Sequence, residues 1–278
     1  MKLLITDLDN TLYDWVSFYS QSFSAMAEEL SKEINVPLDI LLSEYKVIHQ
    51  RFGNSEKPFA TLELPSVISY FGTSDKILLQ KKLTRVFSAF SSKRNHTLKL
   101  YPTVRDTLNI LRERGVKIVG HTESLEYNSL YRLYKLDVID FFDHLYTIED
   151  NHNLHPNPKN AKVISVKDDF IIRLSSAESK PNPKLLEHIC LTENVDIKDA
   201  VYVGDSITKD ISMAKSIGMK AVWARYGRQF APELWEILVK ITHWTDKDVE
   251  REEQLKESFS RVKPDYSINS FAEILDLM

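Results

Sequence analysis

Two carboxylates, Asp7 and Asp9, stand one residue apart near the start of the chain, directly after a short apolar run at residues 3–6. A buried strand at this run would aim both acids at its carboxyl end, where open α/β sheets bind ligands. Two like charges held this close require a cation or a shared proton, and hard oxygen ligands suit Mg²⁺. The pair therefore favours a cation-assisted site, although aspartates are also ordinary turn formers.

A hydroxyl follows the second predicted strand, residues 116–120, at Thr122, with Ser124 just beyond it. Such a hydroxyl can donate a hydrogen bond to a phosphoryl oxygen, assisted by the N-terminus of the helix expected to start near Ser124. Thr122 also suits a plain helix N-cap, because Thr and Ser are preferred caps.

A lysine, Lys180, stands just before the Pro-Asn-Pro segment that opens a predicted helix. It could neutralise charge on a nucleophile or a phosphate, although most lysines in turns are simply solvated. A similar segment at residues 155–159 begins with His155 instead of lysine and leads into no clear helix. The comparison favours Lys180 as the functional residue.

A third acid, Asp205, follows the predicted strand 200–203 and the residue Gly204, which permits a tight turn and close backbone approach. We expect it to point into the same crevice as the first two acids, which would complete an oxygen-rich cation site. Asp210, five residues later, could brace Lys180 or a metal-bound water. As a helix cap alone, Asp205 would be ordinary.

Strand-like runs alternate with helical patterns along the chain, which is typical of a parallel sheet with helices on both faces. The sequence predicts an α/β fold, a Rossmann-like doubly wound parallel sheet. The predicted strands are residues 3–6, 116–120, 144–148, 200–203 and 220–224, and the predicted helices between them are 103–114, 124–134, 183–191 and 208–217.

Three segments interrupt this alternation. Residues 15–99 show only helical patterns, predicted at 15–33, 38–52, 61–70 and 75–91, and form a predicted helical cap domain over the acids. Within residues 149–179 we predict a β-hairpin flap at about 160–176. The extension 229–278 is predicted to contain helices at 232–242, 247–258 and 271–277 and a strand at 266–268. The core domain would then comprise residues 1–14 and 100–278.

Composition limits the classes of function. The 278 residues are 43% hydrophobic and carry a net charge of -4, which gives no basic footprint for nucleic acid. No apolar run approaches the ~20 residues that span a bilayer, so we expect no membrane partner. Cys190, the single cysteine, lies in an apolar helical pattern and is predicted to be core. With no internal disulfide and no room for a signal peptide before the first strand, we expect a cytoplasmic protein.

Together these residues resemble the haloacid dehalogenase superfamily, whose four motifs occur here in order: Asp7 with Asp9, then Thr122, then Lys180, then Gly204 and Asp205 with Asp210. The resemblance covers about residues 1–14 and 100–227. The helical insertion is similar to the family's C1-type cap. The sequence departs from the family pattern in one respect: the stretch from Thr122 to Lys180 is longer than expected, because it contains the predicted flap.

The resemblance implies that Asp7 attacks phosphorus and forms an aspartyl-phosphate, while Asp9 protonates the leaving oxygen and later deprotonates water. It implies that Mg²⁺ is held by Asp7, Asp205 and the backbone carbonyl of Asp9. Thr122 and Lys180 would complete an electrostatic cradle for the phosphoryl group. The supporting positions are Thr11, Gly204, Ser206 and Asp210.

We therefore predict a Mg²⁺-dependent phosphatase that belongs to the phosphatase branch of the superfamily. Its predicted substrate is a small phosphorylated metabolite of the nucleotide or sugar phosphate class. The alternatives are a phosphotransferase or phosphomutase of the same fold and a non-catalytic regulatory or binding protein. Within the family, Asp9 argues against a dehalogenase. Candidate cations for an anionic part of the substrate are Arg51, Lys93, Arg94 and Arg225, each more ordinarily a solvated charge. The sequence leaves the oligomeric state open.

Overall fold

A single seven-stranded sheet, entirely parallel, organises the chain in a computed structural model that describes residues 1–57, 59–149, 164–175 and 178–277. The strand order is β4-β3-β2-β1-β5-β6-β7. The strands are β1 (Leu3–Thr6), β2 (Lys117–Leu125), β3 (His144–Ile148), β4 (Ile171–Leu174), β5 (Ala200–Gly204), β6 (Lys220–Ala224) and β7 (Tyr266–Ile268). The predicted α/β fold with a parallel sheet is confirmed.

The first strand occupies the middle of the sheet because its side chains are apolar on both faces. Leu3, Leu4 and Ile5 are completely buried, as a parallel strand covered on both sides requires. The chain builds β2, β3 and β4 on one side of β1 and then returns to place β5, β6 and β7 on the other side. This reversal creates a crevice at the carboxyl ends of β1 and β5, the position where doubly wound sheets bind ligands.

Helices pack against the sheet and fill the inserted segment. They are α1 (Trp15–Ile34), α2 (Leu38–Phe52), α3 (Pro65–Phe71), α4 (Lys76–Lys82), α5 (Thr84–Thr97), α6 (Val104–Glu113), α7 (Glu126–Lys135), α8 (Pro183–Thr192), α9 (Ser212–Ser216), α10 (Pro232–Lys240) and α11 (Asp246–Ser258). In the part of the chain that the structure describes, no helix has both the length and the apolar character needed to cross a bilayer.

Two predicted cap helices are each divided. The predicted helix 61–70 begins as a 3₁₀ turn, Ala60–Glu63, and becomes α3 only at Pro65, because proline lacks an N–H group and suits the first helical position. The predicted helix 75–91 is divided into α4 and α5 at Leu83, whose backbone (φ -91°, ψ 24°) leaves the helical region. The all-helical character of the insertion is as predicted.

The predicted helix 208–217 starts as a wide π-helical turn, Ile207–Ile211, before α9. The backbone N–H groups of Asp210 and Ile211 both donate to the Ser206 carbonyl, at 2.9 and 3.1 Å. The turn thereby returns Asp210 to the end of β5.

The predicted β-hairpin flap at about 160–176 differs from the described part of this segment. Residues 171–174 form β4, which pairs in parallel with β3 at the edge of the main sheet, and residues 164–166 form no strand. The core explains the difference, because Phe170 and Leu174 are buried against it and an isolated flap would leave them exposed. Residues 160–163 and 176 of the predicted flap lie outside the described residues.

The C-terminal extension joins the cap to the core and contains α10, α11, β7 and a final 3₁₀ helix, Phe271–Leu277, close to the predicted elements. Ser20 Oγ of α1 donates to the Leu234 carbonyl at 2.7 Å. Ring nitrogen Nδ1 of His49 on α2 lies 2.7 Å from the Ile241 carbonyl.

The free energy of unfolding should depend on pH because of His49. Burial lowers the pKa of His49 from 6.5 to about 4, although the hydrogen bond to Ile241 opposes this shift. Between these two values the unfolded chain binds a proton that the folded chain does not, so the free energy of unfolding decreases as the pH falls. We expect His49 to contribute a loss of about 3 kcal/mol across this range.

Urea unfolding of the wild type and of His49→Gln at about pH 7 and about pH 4 tests this expectation. The variant should lose less stability than the wild type on acidification. An equal loss in both proteins would show that His49 is not the group responsible.

Candidate active site

Three buried acids meet in the crevice at the carboxyl edge of the sheet. Asp7 directly follows β1, Asp205 directly follows β5, and Asp210 lies on the π-helical turn. One carboxylate oxygen from each lies within 4.8 Å of the others. The backbone N–H of Asp7 donates to the Val203 carbonyl at 2.9 Å, which fixes the ends of the two strands relative to each other.

Lys180 provides the positive charge nearest to this cluster. Its Nζ donates to Asp7 Oδ1 at 2.6 Å and to Asp210 Oδ1 at 2.9 Å, and the side chain is 3% exposed. Burial alone would lower the pKa of Lys180, but Asp210 and Asp7 outweigh burial and raise it well above its ordinary value. The amine is therefore a fixed cation, 173 residues from Asp7 along the chain.

The three acids bring together more negative charge than the single positive charge of Lys180 can balance. Burial raises the pKa of Asp7 well above its ordinary value, with Asp210 and Asp205 adding to the shift and Lys180 opposing it. Burial and Asp210 likewise raise the pKa of Asp205 to about 7, against the opposing charge of Arg228 at 3.5 Å. A buried set of carboxylate oxygens of this kind fits a hard divalent cation, which would supply the missing positive charge.

The predicted supporting residues surround these acids. Thr11 Oγ1 donates to Asp7 Oδ2 at 3.2 Å, and the backbone N–H of Ser206 donates to Asp210 Oδ2 at 3.1 Å. A Cβ atom at Gly204 would lie 2.3 Å from Asp210 Oδ2, so only glycine permits this carboxylate to pack on the strand end.

Thr122 lies inside β2 and does not cap a helix. The strand continues to Leu125 and α7 begins at Glu126, so the N-cap alternative does not hold here. Thr122 is buried, and its Oγ1 accepts a hydrogen bond from the backbone N–H of Ser124 at 3.1 Å. This bond leaves the hydroxyl proton free to be donated.

The carboxylate of Asp9 contacts residues outside the acidic cluster. Its Oδ2 accepts from Ser124 Oγ at 2.5 Å and its Oδ1 accepts from Arg132 Nη1 at 2.8 Å. The side chain of Arg132 is 5% exposed and also forms an ion pair with Glu56 of the inserted segment. A cation–carboxylate chain thus runs from the first motif to the cap.

Glu56 anchors this chain on the cap side. Besides Arg132, it accepts hydrogen bonds from Trp15 Nε1 and, at 2.7 Å, from Asn128 Nδ2. Burial raises the pKa of Glu56, and the charge of Arg132 opposes that shift. These contacts join the cap to α7 of the core.

Two family models match the chain. The model of the haloacid dehalogenase-like hydrolases matches residues 1–218, and a second model described as HAD-hydrolase-like matches residues 178–274. The chain belongs to the haloacid dehalogenase-like hydrolases.

Named relatives of this hydrolase include phosphatases. A glyceraldehyde 3-phosphate phosphatase of Pyrococcus abyssi is 25% identical over 82% of this chain and 83% of its own. A phosphoglycolate phosphatase of Nitrosospira multiformis is 24% identical over 85% of this chain and 88% of its own. The crystal structure of a 2-haloacid dehalogenase from Pseudomonas syringae covers all of this chain and 97% of that one, with a TM-score of 0.54 and 18% identity, and shares the fold.

Sequence reasoning did not identify Arg132 or Glu56 of this hydrolase. Arg132 lies on the buried face of α7 with Ser129 and Leu133, at the spacing of one helical face. An arginine on the buried face of a helix is a sequence signal from which Arg132 could have been identified. Glu56 lies between helices in the insertion, and nothing in its local sequence indicates a partner on the core.

The four candidate cations have different surroundings. Arg51 pairs with Glu63 on the surface of the cap, and Arg225 and Lys93 are exposed. Arg94 is half-buried, and its guanidinium carbon lies 4.1 Å from the centre of the Tyr131 ring. Only Arg94 among the four therefore contacts α7, the helix that carries Arg132.

Gly227 of this hydrolase forms a close contact that any side chain would break. A Cβ atom there would lie 1.8 Å from the Asn10 carbonyl oxygen. We expect Gly227→Ala to lower the free energy of unfolding by about 3 kcal/mol, because backbone must move to relieve the overlap. Urea denaturation measures the change.

Gly218→Ala is the matched control, because a Cβ there meets nothing within 4 Å and the cost arises only from its positive φ of 72°. That cost should be about 1 kcal/mol. Equal losses in the two variants would contradict the close contact at Asn10.

Proposed function

We propose that this hydrolase is a Mg²⁺-dependent phosphatase that cleaves a small phosphomonoester through an aspartyl-phosphate on Asp7. The observation that carries the proposal is the buried carboxylate of Asp7, held by Lys180 beside two further acids. Relatives named as phosphatases of glyceraldehyde 3-phosphate and phosphoglycolate support a small phosphorylated metabolite as substrate. We also propose a cytoplasmic location, supported by the lone, buried Cys190.

In the proposed reaction an Asp7 oxygen attacks phosphorus, forming the aspartyl-phosphate bond while the bond to the leaving oxygen breaks. Lys180 and the free hydroxyl proton of Thr122 would stabilise charge on the phosphoryl oxygens. Bound Mg²⁺ would neutralise further charge on these oxygens. Asp7, Asp205 and the backbone carbonyl of Asp9 would hold it, with Asp210 adjoining the set.

Asp9 would protonate the leaving oxygen in the first step. In the second step it would take a proton from the water that attacks phosphorus, while the bond between Asp7 and phosphorus breaks and phosphate is released. Ser124 and Arg132 orient its carboxylate through the two hydrogen bonds described above. Residues 15–99 would act as the cap domain, excluding water and selecting the leaving group, with residues 1–14 and 100–278 as the core.

Phosphate release from a panel of sugar phosphates, nucleotides and a generic aryl phosphate tests the proposal. We expect release in the presence of Mg²⁺ and its loss when the metal is removed by a chelator and restored by added Mg²⁺. Release that is unaffected by chelation would contradict metal dependence. An absence of release across the panel would contradict the hydrolase and favour transfer to another acceptor or a binding role.

A further inference from the structure

One cation near the site has no acidic partner among the residues that the structure describes. Arg94 on α5 is half-buried, and its guanidinium lies against the rings of Tyr131, at 4.1 Å, and Phe90, at 5.5 Å. No carboxylate of the described residues forms an ion pair with it, and its Nε is buried without a hydrogen-bond partner. A partly buried charge without a counter-ion is unfavourable, so this arginine is suited to receive an anion.

Arg94 faces a cavity of about 50 Å³ between the cap and α7. Aromatic rings form much of its wall, among them Phe90, Tyr127 and Tyr131. Arg132 lines the same cavity while its Nη1 lies 2.8 Å from Asp9. The cavity is therefore one side chain away from the acid that would protonate the leaving oxygen.

The charges around the cavity are unequal. Arg132 is balanced by Asp9 and Glu56, each in direct contact with it. Arg94 has no such partner in the described part of the chain, and burial lowers its pKa. One additional negative group in the cavity would balance the charge of Arg94, and a planar carboxylate suits the planar guanidinium best.

We propose that Arg94 determines specificity by binding a carboxylate on the leaving group, so that the preferred substrates are small phosphomonoesters carrying a second, carboxylate anion. This inference rests on the proposed phosphatase function. The phosphoryl group would lie at Asp7 and the carboxylate in the aromatic cavity.

A pair of small substrates that differ in this one charge tests the proposal: phosphoglycolate and 2-hydroxyethyl phosphate, which has a neutral hydroxymethyl group in place of the carboxylate. The wild type should have a higher kcat/KM for phosphoglycolate. Arg94→Gln should lower kcat/KM for phosphoglycolate roughly 10- to 100-fold, the range expected for a lost hydrogen bond to a charged group, and leave kcat/KM for 2-hydroxyethyl phosphate within about twofold of the wild-type value. Arg94→Lys should restore part of the preference.

Lys93→Gln is the matched control, since it removes an exposed positive charge from the same helix and should leave the preference unchanged. Thermal unfolding of each variant separates loss of fold from loss of specificity. An equal reduction on both substrates, or no reduction, in folded Arg94→Gln would overturn the proposal.

Binding of glycolate, the product of phosphoglycolate hydrolysis, measured by calorimetry, separates this proposal from the phosphatase function. Saturable binding lost in Arg94→Gln would support the carboxylate site even if neither ester were hydrolysed. Hydrolysis that requires Asp7 but shows no preference for the carboxylate substrate would overturn the Arg94 proposal alone.

Discussion

Replacing Asp7 by Asn should lower the rate of phosphate release by at least about 10⁴-fold, because an amide cannot form the aspartyl-phosphate and the remaining groups only bind and orient. The quantity to measure is kcat at saturating Mg²⁺ with the best substrate of the phosphate-release panel. Residual release above this limit, in protein free of wild-type enzyme, would show that Asp7 is not the nucleophile.

The same substitution should leave the fold intact. Burial disfavours the charged form of Asp7, as the raised pKa shows, so a neutral amide of nearly equal size removes a buried charge. Lys180 retains Asp210 as its partner at 2.9 Å. The surface variant Asp196→Asn is the control for mutation of an exposed acid and should keep full activity.

Replacing Lys180 by Met should lower the free energy of unfolding by about 3–5 kcal/mol in the absence of metal, because two buried carboxylates lose their shared counter-ion. The loss relative to wild type should be larger at neutral pH than at acidic pH, because protonation of Asp7 removes a negative charge that Lys180 balances. Urea denaturation across this pH range measures the effect. Phosphate release should also decrease sharply, since the cradle loses its positive charge.

Lys209→Met is the matched control, because Lys209 pairs with Glu123 at 2.9 Å with both side chains about 30% exposed. Such a half-exposed pair contributes no more than about 1 kcal/mol. If Lys180→Met lowered the free energy of unfolding as little as Lys209→Met, the prediction would be contradicted. The charge of the acids would then be neutralised by protons and not by the lysine.

The sheet and the acids were predictable because their signals are local. An apolar run followed by a carboxylate marks both β1 with Asp7 and β5 with Asp205, and parallel strands necessarily bring their carboxyl ends to one edge. Lys180 could be selected because a proline-rich helix start follows it. Its contacts with Asp7 and Asp210 agree with the predicted neighbourhood.

The unpredicted features depend on packing between distant segments. Strand β4 is an edge strand whose partner is determined by the space beside β3 and not by its own sequence. The ion pair of Arg132 with Glu56 joins residues 76 positions apart, in two parts of the chain with no shared pattern. The cavity beside Arg94 is lined by residues of the inserted segment and of α7, which lie far apart in the sequence.

The most direct test of the proposed mechanism is to quench the enzyme with acid during turnover and locate phosphoryl groups by peptide mass spectrometry. The mechanism predicts that the peptide containing Asp7 gains the mass of one phosphoryl group, and that this gain is absent from Asp7→Asn. Turnover with no phosphorylated enzyme, or a phosphoryl group on another residue, would contradict it.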